Sequence, residues 1–185
     1  MYLLIDKPKG ITSHDVVDEL RKITGIKRIG HAGTLDPNAT GLLIVGVGRS
    51  ATKELGKITK NTEKTYLAEI YLGEERDTDD AEGKILRFAS LTQDDNSGVP
   101  IIPSLSKVKI VLHKFIGEQE QVPPVYSAIK IKGRKAYELA RRSISLSLSP
   151  RKIIIYKIKL LEYKFPILKI ETVVSSGTYI RALAR

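Results

Sequence analysis

The sequence predicts an α+β fold, a mixed and mostly antiparallel β-sheet core flanked by helices. Segments with strand-like alternation outnumber those with helical spacing, and the two kinds do not alternate as regular βαβ units. The composition, 42% apolar and 28% charged, is that of a globular domain and excludes a disordered or fibrous chain. At 185 residues the chain can bury one good core or two small ones, and a single domain over 1–185 is the starting expectation.

The elements follow in order. Tyr2 to Ile5 is a short apolar run stopped by Asp6-Lys7-Pro8-Lys9-Gly10, a strand entering a turn. Ser13 is placed to cap a helix in which Val16, Val17, Leu20 and Ile23 recur at helical spacing, with Gly25 where a left-handed terminating residue is wanted. Residues 30–41 hold three glycines and a proline and predict a loop. Leu42 to Val47 reads as a buried strand, and Ser50 to Ile58 as a short helix. Lys64 to Leu72 alternates, with Tyr66, Ala68, Ile70 and Leu72 on one face and Leu67, Glu69 and Tyr71 on the other. An acidic loop over 73–83 leads to a strand at Lys84 to Phe88, and 91–100 is a polar connection. Leu105 to Phe115 fits a basic helix or a strand; Val122 to Ile131 is extended, and Lys135 to Arg142 helical. Two β-rich runs, Ile153 to Leu161 and Pro166 to Val174, precede the start of a helix at Thr178.

The net charge of +10 is localised. Between Lys107 and Lys159 stand thirteen Lys or Arg against three acids, and the rest of the chain is neutral. A concentrated basic segment suits a phosphate backbone, because each neutralised phosphate releases counterions. A lysine-rich solvated face that keeps the protein soluble is the other reading. There is no Cys, which excludes thiolate nucleophiles, disulfides and sulfur-built zinc sites and fits a reducing cytoplasm. The apolar run at the N-terminus is far short of a signal peptide core or a membrane span.

With three His and no Gly-x-Ser-x-Gly elbow, a serine triad has no support. Asp77, Asp79, Asp80 and Glu82 do not follow the EF-hand ligand order, and 46–53 lacks phosphate-loop spacing. Asp36 stands apart: a carboxylate in a glycine-rich loop, followed by Pro37, is displayed on a pre-organised turn. An Asx-type turn in which Asp36 caps its own loop is the structural alternative.

Gly30-His31-Ala32-Gly33-Thr34-Leu35-Asp36-Pro37-Asn38-Ala39-Thr40-Gly41-Leu42-Leu43 resembles the catalytic loop of the TruB family of tRNA pseudouridine synthases. Five further segments resemble that family's motifs in order along the chain: Asp6 to Ser13, Lys64-Thr65-Tyr66, Asp77 to Gly83, Pro123 to Lys130 with Gly133 and Tyr137, and Gly177 to Arg181. The resemblance implies isomerisation of uridine-55 in the TΨC loop of tRNA, without cofactor or metal, on a base flipped out of its stack. It assigns the nucleophile to Asp36, the stacking aromatic and base for the C5 proton to Tyr66, and the carboxylate's ion partner to Arg181. It carries RNA contact to His31, which fills the vacated space, to Lys7, Lys64 and Tyr179, and to Lys130, Lys132, Arg134, Arg141 and Arg142 in a clasping segment. The implied partner is the tRNA T stem-loop, with no obligatory protein partner and a monomeric enzyme. Two departures stand out: Arg76 occupies a place where a small hydroxyl residue is usual, and Ser143 one where glycine commonly follows the Arg pair.

The chain stops at Arg185 within the first turns of a helix. Members of the family continue, so the expectation is an incomplete catalytic domain lacking a C-terminal RNA-binding extension. The competing expectations are an impaired homologue that binds or folds tRNA, and a basic ribosome-associated structural protein.

Overall fold

A computed structural model of the chain describes residues 1–60, 62–88, 102–131, 133–142, 144 and 146–185. The connection expected at 91–100 lies outside the described residues. The chain divides into two compact units, Met1–Thr62 and Glu63–Arg185. Among the described residues no helix is long and apolar enough to cross a membrane.

The first unit runs β1 (Tyr2–Lys7), α1 (Ser13–Thr24), β2 (Ile29–Ala32), β3 (Gly41–Val47) and α2 (Arg49–Lys60). Its three strands form an antiparallel sheet in the order β1-β3-β2, with Tyr2 opposite Gly46, Lys7 opposite Gly41 and Ile29 opposite Val47. Val16 and Val17 of α1 pack on Ile29, Leu43, Val45 and Val47. Full burial of such side chains stabilises by about 1.5–3 kcal/mol each. Ile23, at the helical spacing of the apolar face, is 72% exposed and outside that core. Gly25 takes φ 68° and ends α1 with its N–H on the Arg21 carbonyl, the left-handed stop expected.

Two expectations are corrected here. Thr12, not Ser13, caps α1: it is extended, its side chain accepts from Asp15 N, and the Asp15 carboxylate accepts from Thr12 N at 2.7 Å. Gly30, His31 and Ala32 are a strand, not loop, because pairing with β3 satisfies their backbone despite the glycine. Thr12→Ala is expected to lower the unfolding free energy by about 1 kcal/mol, read as a shift of the urea midpoint. The Thr12 side chain, followed by its backbone N–H, holds the Asp15 carboxyl below its ordinary 3.8. A carboxyl depressed by folding contributes above its unfolded pKa and loses that contribution as pH falls through the folded value. The loss caused by Thr12→Ala should therefore shrink as the pH drops below 3.8.

The second unit contains β4 (Lys64–Tyr71), β5 (Glu74–Arg76), β6 (Ile85–Phe88), α3 (Leu105–Lys114), β7 (Gly117–Gln121), β8 (Lys130–Ile131), β9 (Arg134–Lys135), α4 (Ala136–Ala140), β10 (Arg151–Lys164), β11 (Ile167–Val174) and α5 (Ile180–Ala184). Its main sheet is antiparallel in the order β4-β11-β10-β7, and β5-β6 and β8-β9 are separate antiparallel ribbons. The α+β architecture with antiparallel sheets is thus the one expected. The segment left open between helix and strand is the helix α3, started by Ser104, whose hydroxyl accepts from Lys107 N at 3.3 Å. Val108 of α3 packs on Leu168 and Ile170 of β11, and a second cluster joins Ile153, Ile155 and Val174 to Tyr66, Ile180 and Leu183. The strand β7, Gly-Glu-Gln-Glu-Gln, carries almost no apolar signal; its place beside β10 is set by the ladder Gly117 to Gln121 against Ile155 to Arg151.

Candidate active site

In the first unit, Asp36 lies in the loop between β2 and β3, and three neighbours fix that loop. Gly10 N donates to the Pro37 carbonyl at 2.9 Å, and Ala39 N closes a turn on the Asp36 carbonyl at 3.0 Å. Ser13 Oγ accepts from Leu35 N at 2.9 Å and donates to Leu35 O at 3.2 Å, so the residue expected to cap α1 pins the loop instead.

Lys7 supplies the third restraint. Its side chain is 0% exposed, and Nζ donates to the carbonyls of Pro8 and Ile11 at 2.8 Å each and Pro37 at 3.2 Å. Three donors meet three acceptors, which satisfies the ammonium where it is out of water. Burial pushes the Lys7 pKa below 10.5, while the Asp36 and then Asp15 charges pull it back up. RNA contact by Lys7 is therefore corrected: a fully buried ammonium spent on carbonyls has no donor left for a phosphate, and Lys7 positions the loop beside Asp36. His31, on β2, donates from Nδ1 to the Gly33 carbonyl at 2.7 Å, which fixes its ring at the entrance to the same loop.

The second unit brings Tyr66, Tyr179 and Arg181 around one end of its main sheet. Tyr66 sits on the inward-alternating face of β4 and packs against the cluster of Ile153, Ile155 and Val174, which Ile180 of α5 also joins. Lys64, two residues earlier on the same face, has its pKa lowered by burial. Tyr179 precedes α5, and its peptide is gripped at both ends by the buried Gln121: N–H to Oε1 at 2.8 Å and carbonyl from Nε2 at 3.0 Å.

Arg181 is 16% exposed. Its guanidinium donates to the carbonyls of Thr78 at 3.0 Å and Tyr126 at 3.1 Å, and Nε lies 4.0 Å from Asp80 Oδ2. Two carbonyls and a carboxylate thus aim the fork, a geometry that suits a guanidinium and not an ammonium. Sequence reasoning missed Gln121, Thr78 and Tyr126. Thr78 and Tyr126 act through backbone carbonyls, which carry no residue signature, and Gln121 lies on β7, a strand with almost no apolar signal.

Two carboxylates of the acidic turn brace its own backbone: Asp77 Oδ1 accepts from Lys84 N and Asp80 Oδ1 from Ala81 N. Among the described residues no group of three His, Asp or Glu is arranged to hold a metal ion.

Lys130, Arg134, Arg141 and Arg142 are all exposed on and after the β8-β9 ribbon; Lys132 lies outside the described residues. Lys135 and Arg141 flank the Tyr137 ring at 5.3 and 5.5 Å from its centroid, which gathers the cations on one aromatic. Such a cluster of exposed cations can neutralise phosphates without reading sequence.

A family model described as TruB family pseudouridylate synthase (N terminal domain) matches residues 21–180. A protein of Protochlamydia amoebophila (strain UWE25) named tRNA pseudouridine synthase B is 46% identical over 182 residues, covering 98% of this chain and 65% of that protein. One of the same name from Caldanaerobacter subterraneus subsp. tengcongensis is 45% identical, covering 97% of this chain and 59% of that protein. The chain therefore spans less than two thirds of the length of these two relatives. Among solved structures, a chain in the crystal structure of a Cbf5-Nop10-Gar1 complex matches with a TM-score of 0.68 at 28% identity, covering 99% of this chain and 42% of that one.

Proposed function

The chain belongs to the TruB family of pseudouridylate synthases, and from that premise we propose that it isomerises the TΨC-loop uridine of tRNA to pseudouridine, with Asp36 as the nucleophile. The observation that carries the reading is the loop at Asp36, held by Lys7, Gly10 and Ser13 so that a carboxylate is displayed on immobile backbone. A pre-organised nucleophile lowers the entropic part of the barrier.

The chemistry needs one carboxylate that bonds and later leaves. Attack at C1′ breaks the bond from C1′ to N1 and frees the base as an N1 anion; the base then turns, C5 bonds to C1′ as the carboxylate is expelled, C5 gives up its proton and N1 takes one up from solvent. Attack at C6 instead makes an adduct to the ring, reversed after the same exchange of N1 for C5. Tyr66 stacks on the base and takes the C5 proton, Arg181 holds the carboxylate ionised, and His31 fills the space the base vacates. Lys64 and Tyr179 contact the RNA near the base. Lys130, Lys132, Arg134, Arg141 and Arg142 hold the phosphates of the T stem-loop. The enzyme works on tRNA as a monomer in the cytoplasm, with no obligatory protein partner.

Tritium release from a tRNA transcript labelled with [5-³H]uridine tests this directly, because the C5 proton leaves in every turnover. Release into solvent supports the reading. Absence of release, with tRNA binding retained, removes it and leaves a tRNA-binding or folding module. The double change Arg141→Ala and Arg142→Ala is expected to weaken tRNA binding without base preference. It should also flatten the plot of log K against log salt by about 2, near 0.9 for each phosphate that is no longer neutralised.

A further inference from the structure

Arg76 closes the turn between β5 and β6 from within. Its Nη1 donates to the carbonyls of Ala81 at 2.7 Å and Gly83 at 2.9 Å, and its Nε and Nη2 donate to Glu74 Oε2 at 3.1 and 2.6 Å. The pair is largely withdrawn from water, with Arg76 28% and Glu74 14% exposed, where such bonds are stronger than at the surface.

The turn thus held is tightly specified. Asp79 takes φ 55°, a left-handed conformation that a side chain rarely adopts, and Arg185 Nη1 donates to its carboxylate at 3.2 Å. A Cβ on Gly83 would collide with Thr78 Oγ1 and Asp77 Oδ1. The rim of this turn is the seat of Arg181, through the Thr78 carbonyl and the Asp80 carboxylate.

We propose that Arg76 is a positioning residue of the reaction: its guanidinium spans the acidic turn and so holds Thr78 and Asp80 where they aim Arg181. A small hydroxyl at this place reaches at most one carbonyl, whereas the fork reaches two and a carboxylate. The catalytic part rests on the reading of Arg181 as partner of the nucleophile. The clamp on the turn rests on geometry alone.

Arg76→Ala and Arg76→Lys, assayed by tritium release beside the unaltered chain and followed by amide hydrogen exchange, separate the two. Arg76→Ala should lower kcat by roughly ten- to a hundredfold, the cost of misplacing a group by about 1 Å, with KM for tRNA changed less than about twofold. Exchange over residues 77–84 and in α5 should quicken together. Arg76→Lys, which can reach one acceptor set but not both, should recover only part of kcat. An unchanged kcat, or a fall confined to KM, overturns the proposal, as does unchanged exchange in the turn. If the unaltered chain releases no tritium, the proposed reaction falls. Exchange then decides for the clamp by itself: quickening in both the turn and α5 supports it, and quickening in neither or in the turn alone rejects it.

Discussion

Asp36→Asn is expected to release no tritium from [5-³H]uridine tRNA, a loss of about four orders of magnitude or more, as when other enzymes lose a nucleophile. The amide has the size of the carboxylate but not its anionic lone pairs, so it neither bonds to carbon nor departs as a stable anion. The loop itself should survive. Its bonds run through the Pro37 and Asp36 carbonyls and through Leu35, none of which needs the Asp36 charge. The urea midpoint of the variant should therefore stay close to that of the unaltered chain, and tRNA binding should persist. Turnover within tenfold of the unaltered chain would remove Asp36 from the chemistry.

Lys7→Met should destabilise the first unit by about 1–3 kcal/mol, the range for leaving buried hydrogen-bond acceptors without their donor. Methionine fills the stem's volume, but the carbonyls of Pro8, Ile11 and Pro37 are left in a dry interior with the ammonium donor gone. Urea unfolding measures it, and a loss below about 1 kcal/mol would mean that water reaches those carbonyls. The pH dependence gives a second check. Because burial lowers the folded pKa of Lys7 below its unfolded 10.5, the folded state binds fewer protons between those two values. Stability due to this group therefore rises as pH climbs through that window, and Lys7→Met should flatten the rise.

Local pattern was enough for the elements whose partners it implies. β4 alternates in sequence, and its burial alternates residue by residue in the fold. α1 shows its apolar face and its glycine stop in a dozen residues. The pattern misled where two neighbouring residues were both plausible, as at Thr12 and Ser13. Each has a hydroxyl, and only the approach of Leu35, 22 residues away, gives Ser13 another use. It was silent for β7, whose polar alternation becomes a strand only beside β10. Lys7 deceived for a related reason, since lysine is almost always exposed and nothing in Asp-Lys-Pro-Lys-Gly says that this one is not.

What the sequence by itself determined is the α+β class, the localised basic charge and the carboxylate at Asp36 on a proline-braced loop, because each is written in residues close together. What only the tertiary structure decided is who holds those groups. Lys7 reaches Pro37 across 30 residues, and Arg181 reaches Tyr126 across 55 and Thr78 across 103. These acceptors are backbone carbonyls, which every residue possesses. Only folding chooses among them, by withdrawing particular donors from water and bringing particular carbonyls within their reach.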